Sequence, residues 1–157
     1  MAMAAGAQDP RDGVRQLQAM LTGELRAPMG ETLGFRLVEV ERGRVVFEGA
    51  LDRRVYNPFG SVHGGYAATL LDSACGIAVQ SQVGPARRHT TLELKVSYLR
   101  GLREDSGPVR AEGRVVSAGS RVAFAEATLH DREGRLCATA TSTLLVFDAE
   151  PGPGAAA

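Results

Sequence analysis

The residues best placed to do chemistry lie together in the run Asn57-Pro58-Phe59-Gly60-Ser61-Val62-His63-Gly64-Gly65 and the apolar stretch after it, in which Asp72 is the lone carboxylate. A carboxylate in such a setting is costly to desolvate unless it is paired or put to work. A helix that begins in glycines presents bare backbone N–H groups to an oxygen. The N–H of Gly65, or of Gly64, can bind a carbonyl and strengthen its hold as the oxygen gains charge. Glycine permits that close approach. Asp72, ionised at neutral pH, can serve as nucleophile or as general base on water. His63 can orient the turn or contact the acyl group. The combination points to acyl chemistry. Spacing alone also accommodates a simple helix-start turn, with Asp72 satisfied by Asn57 or Ser61.

Gly65 and Asp72 share a helix face but lie about 10.5 Å apart along the axis. One helix therefore cannot easily bring both to one acyl carbon. Two antiparallel helices related by a two-fold axis can, which predicts a homodimer with shared sites.

The positioning elements follow from periodicity. Val14, Leu17, Met20, Leu21 and Leu25 recur at helical spacing, predicting an amphipathic helix from about residue 11 to 26, stopped near Pro28. Leu33–Glu41 and Arg44–Leu51 read as strands around an Arg42-Gly43 turn, with Val45, Phe47, Gly49 and Leu51 on one face. The central helix should end before Gly84-Pro85. Thr90–Leu99, Val109–Val116, Arg121–His130 and Leu136–Phe147 follow as strands, and in the first of them Leu92, Leu94, Val96 and Tyr98 alternate with Glu93, Lys95 and Ser97. Short turns imply an antiparallel sheet. A helix apolar nearly all round implies that the sheet wraps it. The expected class is α+β, a hotdog fold, with an open sandwich as the alternative. A single domain over 11–148 is expected between disordered ends at 1–10 and 149–157.

Bulk properties exclude several functions. Formal net charge is zero, so no global basic field argues for nucleic acid or an anionic membrane. Every basic residue except Lys95 is arginine. Cys75 and Cys137 do not make a disulfide framework, and with His89 and His130 they match no metal spacing. No uncharged apolar stretch reaches the length of a membrane span, and residues 1–8 lack signal-peptide features. A cytoplasmic protein is expected. Gly-x-Ser-x-Gly, P-loop and Rossmann patterns are absent.

The extended pattern Asn57-Pro58-x-Gly60-x-x-His63-Gly64-Gly65-x6-Asp72 resembles the signature of hotdog-fold acyl-CoA thioesterases of the PaaI (phenylacetic acid degradation) type. The resemblance continues through Thr91-x-Glu93-Leu94-x-Val96-x-Tyr98-Leu99 and Gly134-Arg135-Leu136, covering roughly residues 30–147. It implies hydrolysis of acyl-CoA without metal or organic cofactor, by a dimer of hotdog dimers, a homotetramer. It implies that Asp72 is the catalytic carboxylate and the Gly65 N–H the carbonyl-polarising group. Asn57 then lies near the thioester and attacking water, and Thr91 helps position that water. The related 4-hydroxybenzoyl-CoA thioesterases of the Arthrobacter kind use glutamate in place of this aspartate and a threonine one turn later. Here Asp72 is followed, four residues on, by Gly76. Leu99-Arg100-Gly101 also departs from relatives that place a proline after the arginine. Because CoA carries phosphates, Arg100, Arg103, Ser120 and Arg121, near strand ends and turns, become candidate substrate contacts.

A non-catalytic acyl-CoA-binding module is the competing expectation. Retention of Asp72, Asn57 and Thr91 together argues against it. A hydratase is a third, but the Asp-x4-His pattern of one such branch is absent.

Overall fold

The computed structural model describes residues 12–150. The stretch 1–10 and residues 151–157 of the expected tail lie outside the described residues. In chain order the elements are α1 (Asp12–Leu21), α2 (Pro28–Leu33), β1 (Phe35–Glu41), β2 (Arg44–Gly49), α3 (Gly64–Val83), β3 (Arg87–Tyr98), β4 (Val109–Ala118), β5 (Val122–His130) and β6 (Leu136–Asp148). Short 3₁₀ turns cover Arg53–Val55 and Glu104–Ser106.

The strands form one six-stranded sheet in the order β1-β2-β4-β5-β6-β3, every pairing antiparallel. Helix α3 contacts all six strands, so the sheet curls around it. This is the hotdog architecture. The helix buries Tyr66, Ala67, Leu70, Leu71, Ala74, Cys75, Ala78 and Val79 against the sheet. Small residues let it approach closely: a Cβ on Gly113 of β4 would lie 2.2 Å from the Ala74 carbonyl oxygen. Gly84, at φ +76°, ends α3 where the sequence indicates.

Three details depart from expectation. The predicted helix over 11–26 stops at Leu21, because Gly23 takes a left-handed φ of +80° and turns the chain. Pro28 does not merely stop a helix. It opens α2, since proline fits a first helical turn whose N–H needs no partner. Leu25 is consequently exposed rather than on the packed face.

The second departure concerns connectivity. Strand β3 does not form a hairpin with β4; it crosses to the sheet edge and pairs with β6, while β4 inserts beside β2.

The third bears on function. Between Thr91 and Glu93 the β3–β6 register slips, leaving Leu92 as an extra residue. A bulge of this kind reverses which residues face the core. Leu94 and Val96 pack against the core as predicted, but Leu92 is 58% exposed and Thr91 faces α3 in its place.

On β2, Val45 and Phe47 face the core as expected. Val46, on the opposite face, is buried as well, beside Arg44, Arg110 and Glu112. No helix among the described residues is long and apolar enough to cross a membrane.

Candidate active site

His63 takes the N-cap position of α3 with extended backbone, and its Nδ1 accepts the Gly65 N–H at 2.8 Å. The Gly65 donor expected to polarise a carbonyl is thus engaged by an exposed histidine side chain. The Gly64 N–H donates to nothing among the described residues. The Tyr98 hydroxyl donates to the Gly64 carbonyl at 2.7 Å, and its ring would crowd a Cβ at position 64 to 3.1 Å. Close packing therefore favours glycine at that helix start.

Asn57 is occupied with its own loop. Its Oδ1 accepts from the Phe59 N–H at 2.9 Å and the Ser61 N–H at 3.3 Å, and its Nδ2 donates to Ser61 Oγ at 2.9 Å. These bonds fix the turn that delivers His63 to the helix. They do not reach Asp72, so the partner expected on spacing alone is not the one found.

Thr91 is that partner. Its Oγ1 donates to Asp72 Oδ1 at 2.9 Å. The Leu92 bulge is what aims it there. Among the described residues Thr91 is the one donor to this carboxylate, which leaves Oδ2 free to act. Asp72 is half-buried and lines a cavity of about 270 Å³ with Thr91, His89, Gly76, Ile77 and Met29. A larger cavity of about 530 Å³ shares Met20, Ala27, Gly30, Phe35 and Phe47 with it. The carboxylate thus stands at the wall of a mostly apolar space closed by the α1–α2 segment.

Gly65 lies elsewhere. It lines a separate cavity of about 280 Å³ with His63, Tyr66, Thr69 and Arg54. Within one chain the helix start and the carboxylate are not brought together.

Other nucleophiles are removed by their surroundings. Burial, helped by the charges of Asp72 and Glu126, pushes the Cys75 thiol up to about 12, so it stays protonated at neutral pH. Burial likewise lifts the Tyr66 phenol to about 12, with its hydroxyl donating to the Ala50 carbonyl at 3.0 Å.

The four predicted CoA contacts divide between the two ends of the molecule. Arg100 lines a cavity with His63, Gly64 and Tyr98, and Arg103 follows on the same loop, whose Leu102 carbonyl accepts the Val62 N–H at 2.9 Å. Ser120 and Arg121 sit at the β4–β5 turn, where the Ser120 carbonyl accepts from Arg87 Nη2 at 2.5 Å and the Arg121 carbonyl from the Val146 N–H at 2.8 Å. All three arginines are exposed. The two groups flank opposite ends of α3, which spans about 30 Å for a helix of its length.

Sequence reasoning missed His89 as a site residue. Its signal was position: two residues before Thr91 in a strand places it on the same face.

A family model of the thioesterase superfamily matches residues 59–138, the segment that holds the helix start, Asp72 and Thr91. The chain belongs to the thioesterase superfamily. As a thioester hydrolase it has relatives across bacteria. It is 27% identical over 116 residues to the 1,4-dihydroxy-2-naphthoyl-CoA hydrolase of Listeria monocytogenes, covering 74% of this chain and 93% of that one. A thioesterase family protein from Silicibacter pomeroyi shares the fold with a TM-score of 0.76 at 30% identity, over 87% of this chain and 99% of that one. The phenylacetic acid degradation-related protein of Ralstonia eutropha gives 0.73 at 29% identity, over 82% and 98%. The chain is thus similar to a phenylacetic acid degradation-related thioesterase as well as to a naphthoyl-CoA hydrolase.

Proposed function

We propose that this thioesterase is a cytoplasmic acyl-CoA hydrolase, a single hotdog domain that releases free acid and CoA from aryl- or arylacetyl-CoA in preference to fatty acyl-CoA. The observation that carries it is the Thr91–Asp72 hydrogen bond on the wall of an apolar cavity. Thr91 fixes one carboxylate oxygen and leaves the other to attack the thioester carbonyl or to take a proton from water. As general base, Asp72 takes a proton from the attacking water and returns it to the departing CoA thiolate; as nucleophile, it expels the thiolate to form a mixed anhydride, which water then hydrolyses to the free acid and the regenerated carboxylate.

The carbonyl oxygen is received at the start of α3, where the Gly64 and Gly65 N–H groups and the helix dipole favour developing negative charge. In this reading the oxygen replaces His63 Nδ1 as the acceptor of the Gly65 N–H. His63 is exposed and can turn away, and the neighbouring Gly64 N–H adds a second donor. Asn57 holds the loop that presents these groups.

Because Gly65 and Asp72 line different cavities, the complete site needs a second subunit. Support comes from β3, a twelve-residue strand at the sheet edge, with Leu92 and Tyr98 more than half exposed. A long unprotected edge with apolar side chains is suited to pairing with another copy. Antiparallel pairing across a two-fold axis would set the start of one α3 beside the middle of the other. Two such dimers would form the homotetramer. Arg100 and Arg103 from one subunit, with Ser120 and Arg121 from another, would then be available to the CoA phosphates. The reaction as described calls on no metal or organic cofactor.

Thiol release from a panel of benzoyl-, phenylacetyl-, short-chain and long-chain acyl-CoA tests the proposal. The aryl and arylacetyl thioesters are expected to give the highest kcat/KM. Highest values with long fatty chains would contradict the substrate class, and no thiol release from any of them would contradict the activity.

A further inference from the structure

The peptide unit that supplies the Gly65 N–H is held at its other end by a side chain. Its carbonyl is that of Gly64, which accepts from the Tyr98 hydroxyl at 2.7 Å. Its N–H donates to His63 Nδ1 at 2.8 Å. Resonance couples the two ends, because a donor on the oxygen draws electrons from the nitrogen and leaves the N–H more positive. Hydrogen bonds in series therefore strengthen one another.

Tyr98 is aimed by the sheet rather than by a loose loop. It pairs with Ala138 of β6. Directly after it, the Leu99 and Arg100 N–H groups both donate to the Cys137 carbonyl, at 2.8 and 3.1 Å. Its ring lies over Gly64, where a Cβ would stand 3.1 Å from Cζ and 3.2 Å from the hydroxyl oxygen. The next peptide has a similar bond with a different outcome. Thr69 Oγ1 donates to the Gly65 carbonyl at 2.8 Å, but the N–H of that peptide is that of Tyr66, which donates to the His63 carbonyl at 3.0 Å. A backbone acceptor fixed in the turn cannot give way to a substrate, whereas the exposed His63 imidazole can.

We propose that Tyr98 is a positioning residue for thioester hydrolysis, its hydroxyl fixing and polarising the Gly64–Gly65 peptide so that the Gly65 N–H holds the oxyanion more strongly. This rests on the reading that Gly65 receives the thioester carbonyl. Tyr98 touches no reacting atom. Its effect grows with the charge on the substrate oxygen, so it acts on kcat more than on KM. A strengthening of about 10–30% in a donor worth about 10²–10³ in kcat makes the contribution of Tyr98 roughly two- to eightfold.

The test compares kcat and KM for the wild-type protein, Tyr98→Phe, and protein carrying 3-fluorotyrosine at position 98, on one acyl-CoA from which the wild type releases thiol. Phenylalanine keeps the ring against Gly64 and removes the donor. The fluorinated ring has nearly the same shape and, at mildly acidic pH where fluorophenols keep their protons, a stronger donor. In Tyr98→Phe, kcat should fall roughly two- to eightfold with KM within about twofold of wild type. With 3-fluorotyrosine, kcat should rise above wild type, a change that a merely structural hydroxyl would not produce. An unchanged kcat in Tyr98→Phe, an effect confined to KM, or no rise on fluorination overturns the role of Tyr98 and leaves the hydrolase standing. Should Tyr98→Phe fail to fold, the fluorotyrosine protein alone decides. Gly65→Pro is assayed beside them, and full activity there overturns Gly65 as the carbonyl donor and the role of Tyr98 with it. Failure to release thiol from any acyl-CoA overturns the underlying activity as well.

Discussion

Asp72→Ala is expected to lower kcat/KM for acyl-CoA hydrolysis by about 10³-fold, the scale of a positioned acid–base group. Thr91 holds one oxygen of this carboxylate at 2.9 Å, and no second donor among the described residues engages the other. The carboxylate is therefore oriented but available. Asp72→Asn keeps the acceptor that Thr91 needs while removing the ionised group, and it should be nearly as inactive with the fold intact. Thr91→Val should cost less, about tenfold, because it removes a hydrogen bond to a charged group but leaves the charge. Initial rates of thiol release with a circular dichroism melt on each variant decide the matter. A fully active Asp72→Asn enzyme would remove the aspartate from the chemistry.

The second large effect concerns the fold. Gly113→Ala would place a Cβ 2.2 Å from the Ala74 carbonyl oxygen and 2.4 Å from its carbonyl carbon. These are backbone atoms in the middle of α3, held by the helix itself, so they cannot move aside as a flexible side chain would. Overpacking of this kind costs roughly 3 kcal/mol, against a total stability of about 5–15 kcal/mol for an ordinary domain. The denaturation midpoint should drop sharply. An unchanged midpoint would mean that α3 does not lie on β4 at this glycine.

Much of the fold was legible in the sequence because its signals were local. The long apolar stretch ending at Gly84, the Arg42-Gly43 turn and the alternation in β2 each specify an element without outside help. The break after Leu21 was harder. Leu25 continues the helical spacing, and only the left-handed conformation of Gly23 shows where the chain turns. Strand order was not readable either, since β3 joins β6 through contacts remote in sequence.

In the site, the family pattern singled out Asp72 and Thr91, and the structure brings them together. Plain alternation would have turned Thr91 away from the helix, with Leu92 inward beside Leu94. A one-residue bulge reverses that, and nothing in the local composition announces it. The contact between His89 and Gln80, nine residues earlier on another element, was likewise hidden. The separation of Gly65 from Asp72 along one helix, by contrast, was legible from their spacing, and the two residues line separate cavities.

The claim that the site is shared between subunits is tested most directly by mixing two inactive variants. Asp72→Ala removes the carboxylate, and Gly65→Pro removes the helix-start N–H at a position where the first turn tolerates proline. Each variant alone should be nearly inactive. In a mixed dimer one of the two sites would combine an intact Asp72 with an intact Gly65, so activity should return to about half the wild-type value per dimer. Absence of activity in mixed dimers of confirmed composition, or full activity in Gly65→Pro alone, would contradict the shared site.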